Sequence, residues 1–371
     1  MGFPVEAAIS SLVGALAALC SSPSATAAEA VVRPALDGVF AAFETHPLVG
    51  LGDLHGLANE GEFYNSLVRD PRFAATVGNV VVEFGSSAHQ DIIDRYLAGQ
   101  DVPYGELRRV WSDTVGAAPT VTSVMYQTFF AQVRAVNQRL PPDRRIHVWL
   151  GEPAADWNKI RTTQDLEPFM DQRDAAPARI IAREILARGK KALVIYGTYH
   201  FFNDAPPNVA EPPPRLKDLV ERNHPGAFYV IAPYIGFPKA DCATTFEATT
   251  KWPRNSLVTT IKDTAVEAAL LRPGCALPVP TPVGPSSIPA AELARWRERA
   301  QRISAGVDAD ALLYLAPSAE LMVSPSDLTL LMDEAYFRET SRRMRIMTGR
   351  PMIWSDYAVT FSRPPKAFWA R

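Results

Sequence analysis

The chain has 371 residues, with 38 basic and 40 acidic side chains and a net charge of −2. Apolar residues make up 47% of it, enough to bury a substantial core, and no basic stripe marks a nucleic-acid surface. Three cysteines without a Cys-x-x-Cys pair argue against a thiolate zinc centre.

The first residues differ from the rest. An apolar stretch from Ala7 to Leu19 is followed by Ser21-Ser22-Pro23-Ser24 and Ala25-Thr26-Ala27-Ala28. This is the pattern of a signal peptide over residues 1–27, cleaved after Ala27, although Glu6 stands where a basic residue is usual. The stretch is too short for a comfortable membrane span. Leu19 before Cys20 is too large for lipidation. The expectation is a periplasmic or secreted protein whose residues 28–371 form one α/β domain. Cys242 and Cys275 then remain, either as buried thiols or as a disulfide closing a loop of about 34 residues, worth roughly 3–4 kcal/mol.

Short apolar runs follow: Pro47–Gly52, Asn79–Phe84, Arg145–Leu150, Ala192–Tyr196, Ala227–Ala232 and Ala311–Leu315. Continuous apolar runs suit strands covered on both faces, as in a parallel sheet. Between them the periodicity predicts helices over Glu60–Arg69, Ala88–Ala98, Val121–Leu140, Asp174–Gly189 and Leu216–Asn223. Strand alternating with helix predicts a three-layer α/β/α fold with a mainly parallel sheet and right-handed crossovers. The Pro-rich loop Ala205–Arg215 is a candidate lid. Residues from about 235 to 290 form a Pro-rich insertion that predicts a loop-rich flap. Helices are expected over Pro289–Ala305 and Ser326–Thr348.

Each strand runs into polar residues that a core does not need. They are Gly52-Asp53-Leu54-His55-Gly56, then Glu83, then Gly151-Glu152-Pro153 with Asp156-Trp157, then Gly197-Thr198-Tyr199-His200. In open parallel sheets ligands bind outside the carboxyl ends of the strands. This places Asp53, His55, Glu83, Glu152 and His200 on one rim. A neutral imidazole accepts a proton or ligates a metal, and a carboxylate beside it orients it or shares the metal. His55, Glu83, His200 and Asp53 are the candidate catalytic set, and the first three are also candidate ligands of a divalent metal. Arg173, which opens the Asp174 helix, can hold a carboxylate or an anionic substrate group. Asp174 there reads as a favourable helix N-terminal charge. Glu152, Asp156 and Tyr199 are further substrate-binding candidates, although Glu152 and Asp156 also suit capping of the next helix. His46, His89, His147 and His224 read as structural. No Gly-x-Ser-x-Gly elbow, Walker loop, His-Glu-x-x-His or Gly-x-Gly-x-x-Gly follows a strand.

These residues resemble the superfamily that joins erythromycin esterases, the ChaN-like haem-binding lipoproteins and the TIKI/TraB proteins. Gly52-Asp53-Leu54-His55 is similar to its first His motif, with Asp53 where Glu is usual. Glu83 resembles the glutamate ending the second strand. Arg173-Asp174 is similar to the Arg-Asp element of the esterases, and Gly197-Thr198-Tyr199-His200 to the second His motif. The likeness covers residues 47–234. It implies a three-layer α/β fold and either hydrolysis of an ester or amide by histidine or a metal, or non-catalytic binding of haem or another small ligand. For haem, Tyr199 and Phe201-Phe202 are the candidate aromatic neighbours of His200.

Overall fold

A computed structural model describes residues 29–116, 121–203, 212–276, 289–355 and 367–369. The leader over 1–27 and Cys20 lie outside the described residues, as do residues 205–211 of the proposed lid.

The core is an eight-stranded sheet in the order β1-β7-β8-β6-β2-β5-β3-β4. The strands are β1 (Val31–Pro34), β2 (Leu48–Asp53), β3 (Asn79–Ser86), β4 (His147–Glu152), β5 (Ala192–Gly197), β6 (Phe228–Pro233), β7 (Ser256–Thr259) and β8 (Ala311–Tyr314). From β8 to β4 every pairing is parallel, and β7 and β1 add antiparallel at the other edge. The fold is α/β. Every residue of β2, β3 and β5 is buried, which is why these strands read as unbroken apolar runs.

The helices divide between the two faces. Ala58–Arg69, Gln90–Leu97 and Val124–Asn137, which follow β2 and β3, pack through Tyr64, Leu67, Ile93 and Phe129 on one face. The helical segment after β4 and the helix Leu216–Glu221 after β5 pack on the other, through Ile181, Ile185, Leu216 and Val220. Neighbouring strands β2 and β5 therefore send their chains to opposite faces. That parting opens a crevice at their carboxyl ends.

Two expectations are corrected here. The Pro-rich insertion is not a loop-rich flap: it folds into the helix Ala240–Thr250, strand β7 and the helix Ala265–Leu270. The Cys242–Cys275 disulfide joins this segment to itself, and Tyr234, Phe246 and Leu312 pack around it. The segment Asp174–Gly189 is not one helix either. An α-helix over Ala175–Ile180 gives way to a π-turn, Ile181–Ile185, and a 3₁₀ turn, Leu186–Arg188, before Gly189 stops it.

Candidate active site

The β2 strand ends at Asp53, and the chain turns at once through Gly56, whose φ of 87° suits glycine alone among common residues. The turn folds His55 back so that its Nδ1 meets Asp53 Oδ2 at 2.6 Å. Asp53 is itself fixed. Its Oδ1 accepts the Tyr64 hydroxyl at 2.8 Å, and its Oδ2 also accepts the Tyr126 hydroxyl at 2.6 Å. Behind it, Glu60 is fully buried and accepts the Leu54 amide at 2.8 Å. Burial, with the Asp53 charge beside it, holds the Glu60 carboxyl well above the usual range.

The second imidazole is built the same way. A 3₁₀ turn, Thr198–His200, follows β5, and His200 Nδ1 meets Asp174 Oδ1 at 2.6 Å. That oxygen also accepts the Leu216 amide at 2.8 Å. Asp174 is thus more than a helix N-terminal charge. It orients an imidazole, a role that sequence reasoning did not give it.

Between the two pairs stands Glu83, buried on β3. Both His55 Nε2 and His200 Nε2 lie 3.5 Å from its Oε1. The same oxygen accepts from the Arg173 guanidinium, and Oε2 accepts the Gly197 amide at 2.7 Å. Arg173 also donates from Nε to the buried Glu152 at 3.0 Å. Glu152 Oε2 accepts the Val115 amide at 3.2 Å.

The electrostatics follow from this crowding. Burial alone would raise Glu83, but the charges of His55, His200 and Arg173 hold its carboxyl well below the usual range. Burial pulls His55 down, yet the Glu83 charge and the Asp53 hydrogen bond outweigh it and leave the ring well above the ordinary value. His200 is pushed up to about 9, Glu83 and Asp174 overcoming its burial. Burial raises Glu152 despite its Arg173 partner. Both imidazoles are therefore cationic at neutral pH. The expected neutral imidazole is displaced because three carboxylates face two rings.

A cavity of about 720 Å³ opens over this group. One wall carries Asp53, His55, Glu83, Arg173 and His200; another carries Ile235, Pro238, Ile303, Phe368 and Trp369. Tyr199 lines it and is tied to Ser304 by a 2.7 Å hydroxyl–hydroxyl bond. Glu152 sits behind Arg173 and does not line the cavity. Asp156 does not join the group. It is exposed, accepts the Asn158 amide at 3.1 Å, pairs with Lys159, and lines a separate cleft beside His89. It caps its own turn, while the next helix, Thr163–Met170, is capped by Thr162 and not by Asp156. Phe201 and Phe202 do not line the cavity: Phe201 is buried against Phe228 and its neighbour packs on the same cluster.

Neither implied cofactor fits this arrangement. Both Glu83 oxygens are taken, one by a guanidinium that would repel a metal ion. No group of three or more His, Cys, Asp or Glu side chains among the described residues is disposed to hold one. Each Nε2 faces Glu83 Oε1 at 3.5 Å, so neither ring presents an unengaged nitrogen to a haem iron.

No family model and no curated protein matches the chain. Among solved structures, the type III effector HopBA1 shares 18% identity over 55% of this chain and 87% of its own, with a TM-score of 0.36. A bacterial protein toxin shares 16% over 54% of this chain and 36% of its own, also at 0.36. ChaN of Campylobacter jejuni, described with cofacial haem, shares 11% over 53% of this chain and 84% of its own, at 0.33.

Proposed function

We propose that the protein is an exported hydrolase of ester or amide bonds. The observation that carries this reading is the facing of two carboxylate–imidazole pairs across one shared carboxylate, open to a cavity with an apolar wall. Hydrolysis needs a base to take a proton from water and an acid to give one to the leaving group. In the reactive form one of the two imidazoles has lost its proton. His55 Nε2, oriented by Asp53, takes the proton of a water. The hydroxyl adds to the substrate carbonyl carbon, the bond to the leaving oxygen or nitrogen breaks, and His200 Nε2 supplies the proton the leaving group needs. Glu83 stabilises whichever ring is charged, and Arg173 fixes Glu83. The apolar wall supports a substrate with a hydrophobic acyl or alkyl part. Nothing specific favours haem binding once Phe201 is buried and Phe202 packs against the same cluster, away from the cavity.

The test is turnover of p-nitrophenyl esters and anilides by the purified chain. Activity should fall about 10²–10⁴-fold in His55→Ala with the circular dichroism spectrum unchanged. Equal turnover in wild type and His55→Ala would end the reading.

A further inference from the structure

The opposite end of the sheet carries different chemistry. Where β3, β4 and β5 begin, the turns before them enclose an open cavity of about 560 Å³. Five of its lining side chains are cationic, Arg144, Arg145, Arg188, Lys190 and Lys191, against one acid, Asp143. The chain as a whole carries a slight negative charge, so this concentration is local. Of these cations only Arg188 has an acidic partner among the described residues, Glu184 at 2.7 Å. Arg145 donates to the carbonyls of Ala98 and Leu140, and Lys191 to the carbonyl of Phe43. Those bonds hold the two cations in place without neutralising them. Arg144 and Lys190 are exposed and make no ion pair with the described residues. Beside them Trp149 and His147 lie with ring centroids 4.0 Å apart and planes tilted by 54°, so that both rings line the cavity.

Like charges held together at this density repel one another, and an anion placed among them relieves that repulsion. One carboxylate neutralises a single charge here, whereas phosphate groups offer several oxygens and more than one charge to guanidinium forks. The cations come from separate turns and surround a concave space, unlike the extended stripe that tracks a nucleic-acid backbone. We propose that this cavity binds a phosphate-bearing anion, its oxygens held by Arg144, Arg188 and Lys190 and its remaining part lying against Trp149. The site is independent of the hydrolytic one, which lies at the other ends of the same strands.

Two probes test this on the full chain. Tripolyphosphate stands for a soluble ligand and is titrated calorimetrically. Phosphatidylcholine vesicles with and without phosphatidylglycerol stand for a lipid headgroup and are tested by co-sedimentation. Wild type should bind at least one probe, more weakly as salt is raised. The Arg144→Glu/Lys190→Glu variant should lose at least about tenfold in affinity while ester turnover stays unchanged. If charge reversal perturbs folding, Arg144→Gln/Lys190→Gln should show the same direction of change. Capture only by phosphatidylglycerol vesicles would assign the lipid source, and tripolyphosphate binding alone a soluble one. No binding of either probe by wild type at millimolar phosphate, or equal binding by wild type and variants, would overturn the proposal.

Discussion

Glu83 accepts from Arg173 and the Gly197 amide while facing both imidazoles, so its charge sets the state of both. Glu83→Gln should cost about 10²–10³ in ester turnover. It should leave a cooperative fold, because the rings can shed their protons and Arg173 keeps Glu152. Unchanged turnover in steady-state assays would remove Glu83 from the mechanism. The reactive form needs His55 without its proton and His200 with one, so kcat/KM should be bell-shaped, rising as His55 deprotonates and falling as His200, pushed up to about 9, loses the proton it donates. A profile that rises with pH and shows no alkaline decline would contradict the assignment. Stability follows the same protons. A histidine raised in the folded state contributes fully below its ordinary value near 6.5, and loses that contribution as pH climbs through the folded one. The melting temperature should therefore fall across this window, and fall less in His200→Gln. Asp53, His55, Glu83 and His200 were legible because strand ends marked them. Asp174 was not, since an acid opening a helix has a sufficient local explanation, and its imidazole partner lies 26 positions away. Tyr64 and Tyr126, which pin Asp53, fall on helix faces where an aromatic residue reads simply as core.

At the scale of elements, the parallel strands were legible from burial on both faces, and their ends placed the site. The antiparallel strands β1 and β7 were not. Each has four residues, too few for periodicity, and β7 lies in a stretch whose prolines suggest loops. The π-turn Ile181–Ile185 escaped notice because an extra residue in a turn leaves the apolar pattern helical over a short window. Close packing between strands gives a sharper test. A Cβ at Gly151 would lie 1.8 Å from the Tyr196 hydroxyl, which is buried without a hydrogen-bond partner among the described residues. Gly151→Ala should destabilise by about 1–3 kcal/mol in denaturant unfolding. Tyr196→Phe should be close to neutral alone and should rescue Gly151→Ala in part, since the ring Cζ at 2.9 Å and the Val82 carbonyl at 3.0 Å still crowd the new Cβ. Additive effects in the double variant would mean that the two positions do not meet.

For the whole molecule, the division of helices between the faces matters most, because it sends the chains leaving the paired strands β2 and β5 to opposite faces and opens the crevice. The sequence reading reached the fold class and the rim, but the strand order depends on contacts between distant segments that no local pattern encodes. The disulfide lies beyond this centre, in the cluster around Phe246 and Leu312. Reduction, or Cys242→Ser/Cys275→Ser, should lower stability by about 2–4 kcal/mol in unfolding experiments and leave ester turnover nearly intact. Loss of turnover in step with the disulfide would tie the insertion to the catalytic crevice. The most direct test of the account is NMR titration of the His55 and His200 rings in wild type and Glu83→Gln. The shared carboxylate predicts that both rings titrate above the ordinary histidine range and that both drop together in the variant. Two rings titrating near 6.5, or only one responding to Glu83→Gln, would contradict it.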